Sequence, residues 1–215
     1  HCATHYIKKH NLEDIRKLAQ SNILFGNIIL ENLDIMNVKI FINFSTVWEN
    51  FNGKKENYYN LYSAYKASFR NIINFYKNKL KKTKFLNLVV SDTFGYNDKR
   101  NKIINLMKKN YKKNILNKII SKNLYLNLLN VVDIKNAIRL ILKEKCKSGT
   151  YLLQNKKDYK ISDIVEGVNN YSNKKIKIKW LSKKIVKEKI YKFKFLKNWK
   201  PSNSKIENVV RIITG

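Results

Sequence analysis

Proline occurs once in this 215-residue chain, at Pro201, and glycine only six times. So little of either excludes flexible linkers and low-complexity tails. The glycines stand far apart, and no Gly-x-x-Gly-x-x-Gly motif exists anywhere. That motif sets bare amides and a helix N-terminus against a dinucleotide pyrophosphate, so no segment here can act as such a loop. The two cysteines, Cys2 and Cys146, lack CxxC spacing and read as reduced thiols of a cytoplasmic protein. His1, His5 and His10 have no accompanying carboxylate pattern, and no metal site is expected. No apolar run reaches the ~18 residues of a membrane span and no signal peptide is visible, so no membrane partner is expected.

Carboxylates are scarce too: 15 acidic residues face 45 basic ones, a net charge of +30. Such a charge attracts polyanions. The lysines are spread along the whole chain among Asn and Ile, however, and outline no nucleic-acid face. Nucleic acid is therefore not an expected partner. A substrate carrying a pyrophosphate would still gain from a basic cleft.

What is present centres on Asn60-Leu61-Tyr62-Ser63-Ala64-Tyr65-Lys66-Ala67-Ser68. Apolar residues at Leu61, Ala64, Tyr65, Phe69, Ile72, Ile73 and Phe75 predict a long helix. On it Tyr62 and Lys66 lie one above the other. An ammonium beside a phenol favours the phenolate and lowers its pKa. A phenol tuned in this way can exchange a proton with a sugar hydroxyl or ketone. An ordinary amphipathic helix with a tyrosine on its flank has the same spacing. A length of 215 residues with 44% apolar residues allows one domain, or one domain with a lobe.

Upstream, Val38-Lys39-Ile40-Phe41-Ile42-Asn43-Phe44 is a β-type run ending in Ser45-Thr46-Val47-Trp48. Downstream lies Ser91-Asp92-Thr93-Phe94-Gly95-Tyr96-Asn97-Asp98-Lys99-Arg100. With the Tyr62 helix, these segments resemble the extended short-chain dehydrogenase/reductase family. Within it they are similar to the NAD-dependent epimerase/dehydratase group that acts on nucleotide sugars, and more narrowly to the CDP-abequose and paratose synthase-like reductases. The resemblance runs over nearly the whole chain.

The resemblance implies an α/β fold: a Rossmann-type doubly wound parallel sheet with a small C-terminal α/β substrate lobe. His1-Cys2-Ala3-Thr4-His5-Tyr6 resembles the family's "His-x-Ala" strand end. The family's glycine loop lies upstream of that point, so roughly sixty residues of the first βαβαβ portion are expected to be missing. The implied division is residues 1–96 as the remaining cofactor-binding core, with 124–145 returning to it, and 97–215 as mainly the substrate lobe. The implied pairing is a homodimer through the helices 12–33 and 61–79.

The implied cofactor is NAD or NADP. Tyr62 would be the acid/base, and Lys66 would tune it and hold the nicotinamide ribose. The family's strand-end hydroxyl falls on Phe44 if Trp48 matches the tyrosine of "Val-Tyr-Gly". Thr46, or else Ser45, is then the candidate to polarise the sugar oxygen. Ala3, Thr4, Asn22, Ser91 and Thr93 would join Tyr62 and Lys66 around the cofactor. Trp48, Asp92, Arg100 and Lys102 would join Thr46 around the substrate. On their own, Asp92 also reads as a turn-forming carboxylate, and Arg100 and Lys102 as solvated charges.

The implied function is reduction of a 4-keto-6-deoxy nucleotide sugar for surface polysaccharide synthesis. A nucleotide-sugar 4-epimerase is the alternative, as is a non-catalytic basic module on a degenerate Rossmann fold. Dehydration is disfavoured because Ser45-Thr46 stands where dehydratases carry Asp-Glu.

The remaining pattern predicts a helix capped at Asn11 and running to about Leu33, and strands over 39–44 and 85–90. A helix is predicted from Asp98, and Asp133 is expected to cap another that reaches Lys145. A further strand is predicted over 149–154, a helix capped by Ser162, an edge strand over 175–180 and a last helix after Pro201.

Overall fold

A computed structural model describes residues 1–144 and 146–215. In chain order the elements begin with helices α1 (Leu12–Ala19) and α2 (Phe25–Glu31), strand β1 (Ile40–Thr46), helix α3 (Leu61–Lys79) and strands β2 (Lys84–Val90) and β3 (Asp92–Phe94). There follow α4 (Ile103–Lys112), β4 (Asn117–Ile119), β5 (Tyr125–Leu126), β6 (Leu128–Asn130) and α5 (Val131–Lys143). The chain then runs through β7 (Gly149–Leu153), β8 (Tyr159–Lys160), α6 (Ile161–Tyr171), β9 (Ile178–Trp180), β10 (Lys194–Phe195) and α7 (Ile206–Thr214). Two compact units result. The first is His1–Val90, Glu144–Leu153 and Lys189–Leu196; the second is Ser91–Lys143, Gln154–Glu188 and Lys197–Gly215. The segments that return to the first unit are thus those bearing β7 and β10, whereas α5 belongs to the second. Lys145, the expected end of α5, lies outside the described residues.

In the first unit, β1, β2, β7 and β10 form a four-stranded sheet in that order, parallel throughout. β2 is buried from Phe85 to Val89, as a parallel strand covered on both faces should be. On the edge of β1 away from β2, the His1 amino group donates to the Ile42 carbonyl at 2.7 Å and Phe44 N donates to the His1 carbonyl at 3.2 Å. These two bonds make a parallel bridge, so the N-terminal segment lies where the next strand of the sheet belongs. A polar row crosses the strands: His1 Nδ1 meets Asn43 Oδ1 at 3.0 Å, and Asn43 Nδ2 donates to Asn87 Oδ1 at 2.6 Å. Buried amides facing each other pin the register, since a one-residue slip would strand both in apolar surroundings. Phe69, Ile73 and Tyr76 of α3 pack with Phe41, Phe85, Leu30 and Leu33 into one core cluster. Gly26 lets α2 approach α3, because a Cβ there would collide with the Phe69 ring.

β1 is longer than expected at its C-terminal end. Its parallel register with β2 continues through Ser45↔Val89 and Thr46↔Val90, so both hydroxyl residues belong to the strand. The 12–33 helix is also not uniform. α1 starts with a capping box at Asn11, but residues Gln20–Leu24 form a π turn before α2 begins.

In the second unit α4, α6 and α7 enclose a core that includes Met107, Ile161, Ile164, Val168, Val209, Ile212 and Ile213. Parallel strand pairs β3–β6 and β4–β9 and the antiparallel pair β5–β8 complete it. Four expectations are corrected here. Asp92 and Thr93 sit in β3 rather than a turn, because Asp92↔Leu128 and Thr93↔Leu129 pair. The helix expected from Asp98 begins at Ile103. The Asp98 carboxylate is taken by Arg100, through its backbone N at 3.1 Å and its guanidinium at 2.6 and 2.7 Å, which holds this stretch out of helix. Asp133 does not cap α5. It is buried and accepts from Ser202 N, Asn203 N, Asn203 Nδ2 and Ser204 Oγ, while Asn130 Oδ1 accepts from Val132 N at the helix start. Ser162 does not cap α6, which begins one residue earlier; its hydroxyl donates to Asp163.

Candidate functional site

The end of β1 and the start of α3 build the site. Thr46 Oγ1 accepts from Trp48 N at 3.3 Å and caps the 3-10 segment Val47–Gly53, which ends the strand. Asn60 and Ser63 form a capping box: Asn60 Oδ1 accepts from Ser63 N at 3.0 Å, and Ser63 Oγ accepts from Asn60 N at 3.1 Å. The box fixes where α3 begins. Tyr62 therefore falls in its first turn and Lys66 one turn later.

Lys66 is 3% exposed, and Nζ donates to the Phe44 carbonyl at 3.0 Å. The lysine thus ties α3 to the end of β1. Burial lowers its pKa from 10.5 to about 8, against the opposing pull of Glu49 and Cys2. Tyr62 is half-buried. The Tyr6 ring meets it edge-on at 5.1 Å between centroids, and lies 6.1 Å from the Trp48 ring, which is 4.9 Å from Tyr59. The proposed acid/base and the proposed pocket wall therefore share Tyr6 as a neighbour.

The two hydroxyl candidates separate by strand alternation. Thr46 is half-buried and shares the Phe44 side of β1, whereas Ser45 shares the buried Asn43 side. Ser45 Oγ is buried and has no hydrogen-bond partner. Asn22, 1% exposed, projects from the π turn. Its Oδ1 accepts from Thr4 Oγ1 and His5 N, each at 2.8 Å, and its Nδ2 donates to the His5 carbonyl at 3.0 Å. The side chain thus holds the backbone of the N-terminal segment as a neighbouring strand would. Ala3 is half-buried in that same segment.

The second unit carries the other candidates. Ser91 Oγ is buried without a hydrogen-bond partner. Arg100 Nη2 donates to Thr93 Oγ1 at 2.8 Å as well as to Asp98, and Lys102 Nζ pairs with Asp92 at 3.1 Å. Burial opposes the charge on Asp98, but the Arg100 guanidinium and backbone outweigh it and hold that carboxyl below its usual range.

Two residues escaped the sequence reading. Tyr6 is one of 13 tyrosines, and nothing local marks it as the neighbour of Tyr62. Glu49 is 0% exposed, and its Oε2 accepts from Arg70 Nε at 2.9 Å. Burial raises its pKa to about 7, opposed by Arg70 and Lys66. An acidic residue just past a strand in so basic a chain was the available signal. Among the described residues, no group of three or more His, Cys, Asp or Glu side chains could hold a metal, and no helix is long and apolar enough to cross a membrane.

A nicotinamide cofactor finds part of what it needs here. Lys66, buried one helical turn from Tyr62, and the Thr4 segment held by Asn22 are the groups present that would hold the nicotinamide-ribose end. For the pyrophosphate, the glycines at 26, 53, 95, 149, 167 and 215 assemble no loop.

No family model and no curated relative matches the chain by sequence. Solved structures do match. A Thermus thermophilus UDP-glucose 4-epimerase in complex with NAD superposes with a TM-score of 0.74 at 16% identity, covering 99% of this chain and 76% of its own. A Methanobrevibacter ruminantium UDP-N-acetylglucosamine 4-epimerase bound to UDP-N-acetylmuramic acid gives 0.81 at 15% identity, covering 98% and 74%. The Campylobacter jejuni UDP-Glc/GlcNAc 4-epimerase gives 0.79 at 13%, covering 99% and 74%. The chain thus has the Rossmann-type α/β fold found in UDP-sugar 4-epimerases, over about three quarters of their length.

Proposed function

We propose that this chain carries the proton-transfer machinery of an NAD(P)-dependent nucleotide-sugar enzyme working at C4 of the sugar. The observation that carries the reading is Lys66: a buried ammonium one helical turn from Tyr62, seated on the end of β1. A bound nicotinamide cofactor supplies hydride transfer. Tyr62 Oη gives or takes the proton of the C4 oxygen. Lys66 favours the phenolate form of Tyr62 and holds the nicotinamide ribose. Thr46 polarises the sugar oxygen, with Ser45 sealed beneath it. Trp48 walls the pocket. Ala3, Thr4, Asn22, Ser91 and Thr93 serve the cofactor. Asp92, Arg100 and Lys102 serve the substrate, and Arg100 exchanges Asp98 for a phosphate when it does so.

Reduction of a 4-keto-6-deoxy sugar and 4-epimerisation use the same C4 proton step. That the superposing enzymes named above are 4-epimerases supports epimerisation. Pairing is with a second copy of the chain, through α1, α2 and α3. Leu12, Phe25, Ile28 and Phe75 there, and Leu24 in the π turn, are large apolar side chains left exposed.

The test uses the complete gene product with UDP-, dTDP- and CDP-sugars, both 4-hydroxy and 4-keto-6-deoxy. Net oxidation of NAD(P)H identifies a reductase; C4 inversion by NMR without net oxidation identifies an epimerase. Tyr62→Phe is expected to lower kcat at least ~100-fold. No turnover with any of the three nucleotide classes would overturn the reading in favour of a non-catalytic module.

A further inference from the structure

Glu49 has a place in the first unit that the proton-transfer scheme does not use. Its carboxylate is completely buried just past β1. Oε2 accepts from Arg70 Nε at 2.9 Å, and the buried carboxylate also faces the Thr46 backbone. Its partner Arg70 comes from α3, where Lys66 lies four residues earlier on the same face. Lys66 is buried as well, and its ammonium donates to the Phe44 carbonyl. A buried ammonium is costly unless a charge of opposite sign stands near. Glu49 makes no direct ion pair with Lys66, but it is bonded to Arg70 one turn along the same helix face, and each of the two charges favours the other.

We infer that Glu49 is a positioning residue for Lys66: its buried carboxylate is the counter-ion that keeps the lysine charged and seated at the end of β1. Glu49 then governs the surroundings of Tyr62 from behind, without contacting sugar or cofactor. What the charged lysine is used for rests on the nucleotide-sugar reading; the coupling of the two charges does not.

Glu49 faces Arg70 and Lys66 from α3 and the Thr46 backbone from β1. Lys66 faces Glu49 and the Cys2 thiol, and its charge is also felt by the His1 amino group. Burial raises Glu49 to about 7 and lowers Lys66 to about 8. Protonating Glu49 therefore removes support from Lys66 close to neutrality.

The experiment is the pH titration of Lys66 in the 215-residue chain without substrate. The probe is the NMR signal of ¹³C-dimethylated lysine, assigned by its loss in Lys66→Arg. Glu49→Gln is expected to lower the Lys66 midpoint by about one pH unit or more, a tenfold change in its proton affinity. Glu49→Asp is expected to restore most of that shift. An unchanged midpoint in Glu49→Gln would show that Glu49 only braces Arg70 and would overturn the proposal. If Glu49→Gln does not fold, the unsubstituted chain decides. The Lys66 signal is expected to show a second inflection where Glu49 titrates, and a single-step curve overturns the counter-ion role. A coupled titration in a protein without turnover supports the counter-ion role while defeating the nucleotide-sugar reading, so the two fail separately.

Discussion

Burying a lysine costs folding free energy that an apolar side chain of the same length does not. Lys66→Met is therefore expected to keep or raise the melting temperature, since Glu49 retains Arg70, while turnover by the complete gene product falls at least ~100-fold. Thermal denaturation and kinetics on the same preparation check the pair of effects. Loss of both stability and activity would mark Lys66 as structural. Glu49 adds a pH signature. Its folded pKa, about 7, lies above the ordinary 4.5, so between these values the folded protein binds more protons than the unfolded one. Stability should then fall as pH rises through that window, by about 3 kcal/mol for a shift of this size. Lys66 works the other way: its folded value of about 8 is below 10.5, so stability recovers as pH rises between them. Urea titrations across the pH range check this, and the downward limb should vanish in Glu49→Gln. Tyr62 and Lys66 could be nominated from sequence because their spacing is local to one helix, and Thr46 because the family resemblance places a hydroxyl near the strand end. Tyr6 could not, and Glu49 showed only as an acidic residue just past a strand, because what singles them out is the partner each meets in the fold.

Among the elements, helix starts governed by their own side chains were legible. Asn11 with Asp14 and Asn60 with Ser63 are capping boxes closed within three residues. Boundaries set by distant partners were not. β1 runs on to Thr46 because Val89 and Val90 continue the ladder, and α4 starts late because Arg100 captures Asp98. The π turn was also hidden, since Asn22 is drawn toward His5 by hydrogen bonds across 17 positions of sequence. It has a consequence for pairing: beyond it, α2 presents Phe25 and Ile28 to solvent, 49% and 54% exposed. If a second copy covers them, Phe25→Glu should convert a dimer to a monomer by light scattering with little change in far-ultraviolet circular dichroism. A protein that is monomeric at high concentration without the substitution would refute pairing.

At the scale of the whole molecule, individual strands and helices were legible as apolar runs and helical periods, β2 being buried along most of its length, whereas the parallel α/β architecture was implied by the family resemblance. The cofactor's pyrophosphate site has no counterpart among the glycines. The 215-residue chain by itself is accordingly expected to show no saturable NADH fluorescence at micromolar concentration; saturation there would refute the expectation.

Both units draw on late sequence. The first needs β10 at Lys194–Phe195 to complete its sheet, and the second needs residues 202–204 for Asp133 and α7 to close its core. During synthesis neither unit can finish folding until these segments have left the ribosome. β1 and β2 must wait, with the buried apolar face of their sheet incomplete, for strands made long afterwards. Vectorial folding one unit at a time, open to proteins whose domains follow each other along the chain, is closed to this one. Nascent chains stalled before residue 194 should therefore be the species that chaperones bind and proteases cut.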